Sequence, residues 1–583
     1  MEKEAEACGV RDRREMEALI DRHLAERRIF EAEQAQLSLA DDIRRAFKDG
    51  VQQSARRTYA PDPLQPLILP PDDVPFSRAQ IREKPDRVLD VLADKNATFT
   101  RNDILRALAV VFDDPIELRA TSERTLCSPD LIRLSNNDPA IYSTRGFETA
   151  KTDLSACMDE MTKSGGFKVS RSEIDQAIAA ENARLRKRYG ATLSDQQVEA
   201  VRHVLKPNQM SAVVGLAGAG KSTLLAVARQ VWERSGYRVH GAALAGKAAD
   251  SLQSASGMRS RTLASLEASW MSGYEPVGHG DIVVIDEAGM VGTRQLARVA
   301  EALRQRGCKL VLVGDPDQLQ PIQAGTPFKD IIVTGEAARL SEIRRQTAEW
   351  QRRASEDLAA GRVQAALLAY EDHGAVHIET DRDHAIAALV DDYVADMKLN
   401  GSTASRLALA HRRKDVYAIN QAVKCTLREM QEPKTELLIL TEHGPRAFGE
   451  GDRILFMRND VTLGVRNGML GTIKKVGDDQ LVVALDPDDA GNRRTVTFDP
   501  RIYPSIDHGF AVSIHRAQGC TVDRSFVLSS TTLDTNLAYV AMTRHRTETG
   551  FYTAPDIQHR RHDGRRRDAR AQKPHQMPRI RTH

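Results

Sequence analysis

The sequence predicts an α/β protein with a parallel sheet, and three short apolar runs carry this prediction. The runs are Val213–Val214, Val283–Ile285 and Leu310–Val313, and purely aliphatic runs are typical of strands that are buried on both faces. Between the last two, residues 291–307 place apolar side chains at helical spacing and end at Gly307, a common helix stop. Strands that alternate with helices in this way indicate βα units.

Length and composition are those of a soluble globular protein with several domains. The 583 residues allow about four domains, and the chain is 41% hydrophobic, 28% charged and 5% aromatic. The formal net charge is +2, so bulk charge indicates no partner. The apolar runs are too short for membrane insertion, the six cysteines form no CxxC pair, and the N-terminus lacks a secretory signal. These features predict a cytoplasmic location.

The two ends of the chain are rich in charged residues. Residues 1–58 are predicted to form a charged helical segment, for which solvated helices are the simplest interpretation. Residues 59–76 form a Pro-rich linker, because each proline lacks an N–H and restricts φ. Residues 554–583 form a basic tail, for which disorder is the first interpretation and contact with nucleic acid is the second.

Residues 77–190 are predicted to form a mostly helical domain. Thr100 and Ser170 each precede an acidic residue three positions later, which is the spacing of a capping box at the start of a helix. A short hairpin is expected around residues 131–143, on either side of an Asn-Asn-Asp-Pro turn. Helices with a hairpin suggest a winged-helix-like module, and both DNA contact and purely structural packing remain open for it.

Three further units are expected towards the C-terminus. Residues 191–345 form a first α/β domain, and residues 346–444 together with residues 501–553 form a second one. The intervening residues 445–500 contain short strands separated by turn dipeptides such as Gly-Asp and Asn-Gly, which predict a small β-barrel. A β-barrel that interrupts an α/β domain is the simplest account of this order.

A phosphate-binding loop is the strongest functional signal. Residues 215–222, called the P-loop below, match the full pattern G-x-x-x-x-G-K-[ST] after an expected strand and before an expected helix. Glycines there let backbone N–H groups cradle phosphate oxygens at the positive end of the helix. Lys221 is expected to reach the β- and γ-phosphates, and Ser222 is expected to bind Mg²⁺. The residues predicted to bind the nucleotide are Gly215, Gly218, Gly220, Lys221, Ser222 and Thr223.

Carboxylates and an amide follow the other two expected strands. Asp286 and Glu287 end an apolar run, and two carboxylates at a buried strand end are costly without partners such as Mg²⁺ and water. We expect Asp286 to hold the metal and Glu287 to orient or deprotonate the attacking water, although such a pair alone is often a helix cap. Gln318 lies in a turn after the third strand, where it either senses the γ-phosphate or belongs to an ordinary loop.

In this order the segments resemble the motifs of superfamily-1 helicases of the RecD-like type. The Q motif and motifs IV, V and VI have counterparts in residues 193–197, 343–346, 508–521 and 539–544. The resemblance implies two RecA-like P-loop motor domains, the second with an SH3-like β-barrel insertion. It also implies that Gln197 reads adenine and that Arg345 and Arg544 come from the second motor domain as arginine fingers. Either arginine alone would instead suggest a surface salt bridge. The predicted catalytic set is Lys221, Glu287, Gln318, Arg345 and Arg544.

A second resemblance is to the Ti-type conjugative transfer relaxases of the TraA family, from near residue 15 to about residue 553. It rests on residues 242–249, on residues 260–265 and on the helical region before the first α/β domain. That family joins an N-terminal relaxase to a C-terminal helicase. The chain starts after the relaxase, so DNA nicking is expected to be absent. The resemblance also implies a single-strand DNA path lined by Lys247, Thr262 and His515.

The predicted function is an ATP-dependent DNA helicase, or single-strand translocase, in conjugative plasmid transfer. ATP and Mg²⁺ are the expected cofactors. Single-stranded DNA and duplex junctions are the expected partners, with a relaxase and a conjugation coupling protein as further candidates. The family implies 5′→3′ movement. One alternative is a RecD-like repair helicase. Another is a DNA-binding or recruitment module without unwinding, against which the complete catalytic set argues.

Overall fold

The computed structural model describes residues 78–554, apart from short gaps at 136–138, 402–403, 431–435, 478, 488–490 and 492. The segments predicted over residues 1–58 and 59–76 and the basic tail from residue 555 onwards lie outside the described residues. Within the described part, no helix is both long enough and apolar enough to cross a membrane.

The first half of the described chain contains twelve α-helices, nine strands and one short 3-10 helix, Ala288–Met290. In chain order they are α1 (Arg78–Glu83), α2 (Arg87–Lys95), β1 (Phe99–Thr100), α3 (Arg101–Ala109), α4 (Pro115–Leu126), β2 (Leu131–Arg133), β3 (Ile141–Thr144), α5 (Arg145–Lys163), α6 (Arg171–Tyr189), α7 (Asp195–Val204), β4 (Met210–Gly215), α8 (Lys221–Arg234), β5 (Val239–Ala243), α9 (Gly246–Ser256), β6 (Arg259–Thr262), α10 (Leu263–Met271), β7 (Ile282–Ile285), α11 (Thr293–Gln305), β8 (Lys309–Gly314), α12 (Pro327–Thr334) and β9 (Ala337–Leu340).

The second half contains the remaining elements of the described residues. In chain order they are α13 (Glu349–Ala359), α14 (Val363–Asp372), β10 (Val376–Ile378), α15 (Arg382–Asn400), β11 (Arg406–Ala410), α16 (Arg413–Glu429), β12 (Glu436–Thr441), β13 (Gly444–Gly449), β14 (Arg453–Phe456), β15 (Leu470–Val476), β16 (Leu481–Leu485), β17 (Thr495–Phe498), β18 (Ile506–His508), β19 (Ala511–Ser513), β20 (Val522–Leu528), α17 (Thr535–Met542) and β21 (His545–Thr553).

The first α/β domain is built on a six-stranded parallel sheet in the order β6-β5-β7-β8-β4-β9. Every residue of β7 and β8 is buried. Successive residues face opposite sides, so that Val283 and Ile285 join one apolar core while Ile282 and Val284 join the other. Burial of both faces explains the purely aliphatic runs and confirms the parallel sheet that they predict.

The second α/β domain is built on a five-stranded parallel sheet in the order β10-β21-β20-β11-β19. β11 shows the same alternation, with Leu407 and Leu409 in one core and Ala408 and Ala410 in the other. Helices cover both faces of each sheet. The predicted α/β class with two RecA-like parallel sheets is therefore confirmed.

An antiparallel unit interrupts the second α/β domain. It contains a five-stranded sheet in the order β17-β16-β15-β14-β18 and a separate hairpin of β12 and β13. The unit extends from Glu436 to His508, beyond the predicted interval of 445–500. The reason is that β12 contains the run Leu437–Leu440, which would also continue a helix, and pairing with β13 decides its conformation. The description of this insertion as an SH3-like barrel stays a prediction.

An N-terminal module, residues 78–144, comes before the two α/β domains. It combines α1 to α4 with a three-stranded antiparallel sheet in the order β1-β3-β2. The side chain of Thr100 accepts the N–H of Asp103 at the start of α3, which confirms the predicted capping box. Pairing of β2 with β3 confirms the predicted hairpin. The region before the first α/β domain is thus mainly helical, as expected.

Two long helices predicted to belong to this helical domain pack on the first parallel sheet instead. Met158 and Met161 of α5 belong to the core on one face of the sheet, and Ile178 of α6 belongs to the core on the other face. The apolar stripes of α5 and α6 therefore extend the first α/β domain back to residue 145. Helical spacing in the sequence cannot reveal which core a stripe faces.

The packing of α11 on α5 leads to a prediction about stability. Leu296 of α11 is fully buried in the core that includes Met158 of α5, so Leu296→Ala should destabilise the first α/β domain by about 2–5 kcal/mol. Gln305→Ala, at an exposed position of the same helix, should change stability by less than about 0.5 kcal/mol. Denaturant unfolding of both variants measures this difference, and equal stabilities would contradict the packing.

Candidate nucleotide site and DNA cleft

The predicted site residues gather at the carboxyl edge of the first parallel sheet. β7, β8 and β4 are neighbours in the sheet. They end directly before Asp286, directly before Asp315 and at Gly215. Since the carboxyl ends of parallel strands meet at one edge, this order brings together three segments that are distant in the sequence. Ligands of α/β proteins collect at such an edge.

The P-loop depends on two glycines in a left-handed conformation. Gly218 and Gly220 have φ values of 83° and 82°, which other residues adopt at a cost. A Cβ atom on Gly218 would lie 2.5 Å from Cβ of Arg345, and one on Gly220 would lie 2.2 Å from Nε2 of Gln197. Lys221 opens α8, and its ammonium donates to the carbonyl of Gly215 at 2.7 Å. This backbone cradle with a lysine folded over it suits phosphate oxygens.

Gln197 lies directly beneath the P-loop and is 3% exposed. Its Nε2 donates to the carbonyl of Ala219 at 3.3 Å. Its Oε1 accepts the N–H of Ser194 at 3.0 Å and a guanidinium N–H of Arg344 at 3.2 Å. In this structure the carboxamide supports the loop from within the protein, and the reading of adenine by Gln197 stays a prediction.

Asp286 and Glu287 occupy a strained and electrostatically unfavourable position. Among the described residues, Glu287 is the one non-glycine with a positive φ, at 52°, and such strain clusters at functional sites. Burial and the adjacent Glu287 carboxylate raise the pKa of Asp286 to about 6, and Lys221 opposes this rise. A carboxylate whose charge is poorly compensated is a suitable ligand for a divalent cation.

Gln318 is held by Asp315, a residue to which the sequence analysis assigned no role. Both side chains are buried. Nε2 of Gln318 donates to Oδ2 of Asp315 at 2.9 Å, and the hydroxyl of Tyr539 donates to the same oxygen at 2.8 Å. The Tyr539 oxygen in turn accepts the N–H of Ala217 in the P-loop at 2.9 Å. Oε1 of Gln318 is buried and has no hydrogen-bond partner among the described residues.

The two predicted arginine fingers reach the site from different segments. Arg544 follows α17 of the second α/β domain, is 1% exposed and donates to the carbonyl of Val540 at 2.7 Å. Arg345 lies in the segment that joins β9 to α13, at the predicted boundary between the two α/β domains, although the family resemblance implied that it comes from the second domain. It donates to the carbonyl of Thr543 at 2.8 Å. Burial and the charge of Arg544 lower the pKa of Arg345 to about 9. Two neighbouring guanidinium groups that repel each other, that of Arg544 buried and that of Arg345 partly buried, favour the binding of an anion.

These residues fit a magnesium–nucleotide ligand. Ser222 at the start of α8 and Asp286 after β7 offer a hydroxyl and a carboxylate, the hard oxygen donors that Mg²⁺ prefers. Gly218 and Gly220 have no room for a side chain, so their backbone can lie close to phosphate oxygens, and Oε1 of Gln318 is a free acceptor among the described residues. The site therefore has places for a cation, for phosphate oxygens and for a water molecule.

A cleft of about 1110 Å³ lies between the two α/β domains and the antiparallel unit. Two of the predicted DNA residues, Lys247 and Thr262, line this cleft, and His515 lies outside its lining. The ammonium of Lys247 lies 2.6 Å from Sγ of Cys520 in the second domain. The hydroxyl oxygen of Thr262 accepts the N–H of Ser265 at 3.1 Å and thereby caps α10.

Further basic side chains line the same cleft, and the sequence analysis did not select them. They are Arg259, Arg261, Arg466 and Arg494. Tyr274, an aromatic residue that is 62% exposed, lies among them. Basic grooves with an accessible aromatic ring are typical of single-strand binding. These residues come from two separate regions of the chain, so no local motif could have indicated their proximity.

Comparison with known families and proteins agrees with this geometry. The AAA domain family model matches residues 192–381, which include the P-loop, the acidic strand end and Gln318. Over 482 residues the chain is 37% identical to the probable conjugal transfer protein TraA of Sinorhizobium fredii and 38% identical to the conjugal transfer protein TraA of Agrobacterium fabrum. Both of these relatives carry the name TraA.

The similarity covers only part of the TraA proteins. It spans 81% of this chain and 42% of each of these two relatives, so the chain spans less than half of their length. The ATP-dependent RecD2 DNA helicase of Deinococcus radiodurans is more distant, at 26% identity over 372 residues, 61% of this chain and 48% of that protein.

Solved structures of Pif1 helicases align with about two thirds of the chain. A Pif1 helicase from Bacteroides in complex with ADP-AlF3 and ssDNA aligns with a TM-score of 0.42 and 18% identity, over 66% of this chain and 98% of that one. The Pif1 helicase from Candida albicans aligns with a TM-score of 0.42 and 18% identity, over 65% of this chain and 100% of that one.

The enclosure of Gly220 leads to a prediction about nucleotide affinity. Gly220→Ala should weaken the binding of a fluorescent ATP analogue by at least about tenfold, because left-handed strain and displacement of Gln197 both disturb the cradle. The control is Gly236→Ala at the other end of α8, where φ is 89° and no atom lies within 4 Å of the new Cβ. It carries similar strain and should leave the affinity unchanged. Equal losses of affinity in both variants would show that left-handed backbone strain alone causes the effect.

Proposed function

We propose that this chain is an ATP-driven DNA motor, a helicase or single-strand translocase, that acts in conjugative plasmid transfer. The observation that carries the proposal is the convergence of the P-loop, the Asp286–Glu287 pair, the buried Arg544 and the partly buried Arg345 between two parallel-sheet domains. A site between two domains links hydrolysis to domain movement. The nearby basic cleft supplies a surface on which that movement can act.

Each residue of the site has a role in the proposed hydrolysis. Lys221 binds the β- and γ-phosphates, and Glu287 orients the attacking water and accepts its proton. Gln318 accepts a hydrogen bond from that water through its free Oε1. Arg345 and Arg544 stabilise the charge that develops during phosphoryl transfer. Mg²⁺, held by Ser222 and Asp286, would neutralise phosphate charge.

We propose that single-stranded DNA binds in the cleft through Lys247, Thr262 and the arginines beside them. Contacts to the phosphate backbone make such binding tolerant of sequence and sensitive to salt. His515 lies outside the cleft lining, so it would act at a different position along the strand. Duplex junctions would then meet the protein at one end of this path.

The role in conjugation rests on the similarity to the TraA proteins. A relaxase and a conjugation coupling protein are the proposed partners, the cytoplasm is the proposed location, and 5′→3′ is the proposed direction. The matched region leaves out more than half of those relatives. A RecD-like repair helicase is the second candidate, and the similarity to the ATP-dependent RecD2 DNA helicase supports the helicase part of that role.

The central prediction concerns ATP hydrolysis with and without single-stranded DNA. The wild-type protein should hydrolyse ATP faster when the DNA is present. Lys221→Ala should lower the stimulated rate by at least about 100-fold, because it removes a charge that stabilises the transition state. A coupled steady-state assay measures both rates. DNA binding without turnover would contradict the motor and favour a recruitment module.

A second prediction concerns the cleft. The double variant Arg259→Ala with Arg261→Ala should bind single-stranded DNA more weakly. The slope of log K against log salt concentration should also fall in magnitude by about 0.7 for each phosphate that is no longer neutralised. Arg298→Ala, at an exposed position on α11 outside the cleft, is the control and should change neither quantity. Fluorescence anisotropy at several salt concentrations measures both. An unchanged slope in the double variant would exclude these arginines from the DNA path.

A further inference from the structure

Tyr539 is a buried residue that the proposed hydrolysis does not yet use. It lies in the middle of α17, in the second α/β domain, and is fully buried. Its hydroxyl contacts two segments of the first domain, namely Ala217 of the P-loop at 2.9 Å and Asp315 after β8 at 2.8 Å. One side chain of the second domain thus touches both nucleotide-binding loops of the first.

The direction of every hydrogen bond in this network is determined by chemistry. The N–H of Ala217 can only donate, so the Tyr539 oxygen accepts from it and gives its own proton to Asp315. An ionised carboxylate can only accept. Asp315 therefore receives the Tyr539 hydroxyl, the N–H of Asp317 at 3.1 Å and Nε2 of Gln318 at 2.9 Å.

This polarity determines how Gln318 presents its amide. If the amide were flipped, its oxygen would face the Asp315 carboxylate, and two acceptors would repel each other. Nε2 therefore faces Asp315, and Oε1 is left as the acceptor, which is buried and has no partner among the described residues. An acceptor in this position can accept a hydrogen bond from the attacking water, whose proton goes to Glu287.

A second contact from the same helix supports this arrangement. Nδ2 of Asn536, in the first turn of α17, donates to the backbone carbonyl of Gln318 at 2.9 Å. Ala217 and Leu319 of the first domain pack in the same apolar core as Tyr539. Burial and the Asp315 carboxylate raise the pKa of Tyr539, so the hydroxyl keeps its proton as the network requires.

We propose that Tyr539 is a positioning residue that orients Gln318 for hydrolysis only when α17 lies against the P-loop. This inference rests on the proposed function. Because the hydroxyl comes from the second domain, separation of the two α/β domains at the nucleotide site breaks the bonds to Ala217 and Asp315. Gln318 then loses its fixed orientation. Hydrolysis is thereby restricted to the closed arrangement of the two domains, in which Arg544, located just beyond the same helix, is also in place.

The test is Tyr539→Phe, which keeps the ring and removes the hydroxyl. The kcat for ATP hydrolysis in the presence of single-stranded DNA should fall by about 10- to 100-fold, the range for losing hydrogen bonds to a charged group. The KM for ATP should change by less than about threefold, because the P-loop lysine and the glycine cradle remain.

The matched control is Tyr552→Phe. Tyr552 is also buried in the second domain, and its hydroxyl donates to Asp392 at 2.7 Å, away from the nucleotide site. The Tyr552→Phe variant measures how the loss of a buried Tyr–Asp hydrogen bond affects the protein in general, and its kcat should equal that of the wild type. Thermal melting and binding of a fluorescent ADP analogue show whether both variants are folded.

A double-mutant cycle separates positioning from packing. If Tyr539 acts through Gln318, then Tyr539→Phe should have little further effect on kcat in a Gln318→Ala background. Independent, multiplying effects would overturn the inference, as would equal kcat values for Tyr539→Phe and Tyr552→Phe. Wild-type protein without DNA-stimulated hydrolysis would instead overturn the proposed function itself, and the inference with it.

Discussion

The burial of both faces of two parallel sheets is the constraint on which the rest of the structure depends. Strands such as β7 and β8 have no solvent-facing side, so polar and charged groups can stand only at the strand ends. The carboxyl edge of the first sheet collects the P-loop, Asp286 and Asp315 for this reason. Chemistry is concentrated at one edge because the remainder of the sheet must stay apolar.

The contact between the two α/β domains adds residues of the second domain to the candidate site at this edge. α17 brings Tyr539 and Asn536 onto the loops of the first domain, and Arg544 follows directly behind it. Arg345 reaches the same region from the segment that connects the two sheets. In the proposed mechanism, this helix therefore senses whether the two domains are in contact, and Arg544 just beyond it supplies part of the catalytic charge. Such an arrangement converts a local reaction into a relative movement of domains, as a DNA motor needs.

Much of this candidate site could be predicted from the sequence, because the groups predicted to bind phosphate and metal are local. The P-loop pattern and the acidic end of a strand occupy a few consecutive residues, and the structure has the expected strand before each of them. The role of Asp315 could not be predicted, because its partners Gln318 and Tyr539 include one that is more than 200 residues away. The start of the antiparallel unit at Glu436 also escaped prediction, since a leucine-rich run suits a helix and a strand equally.

The sequence by itself determined the α/β class, the order of the motifs and the identity of the phosphate-binding loop. These properties depend on short-range patterns of apolar and glycine residues, which local physics translates directly into strands, turns and helix starts. Only the tertiary structure decided which core α5 and α6 join, that Arg345 belongs to the connecting segment, and that Tyr539 joins two loops of another domain. Those outcomes depend on which surfaces bury each other, and no single segment contains that information.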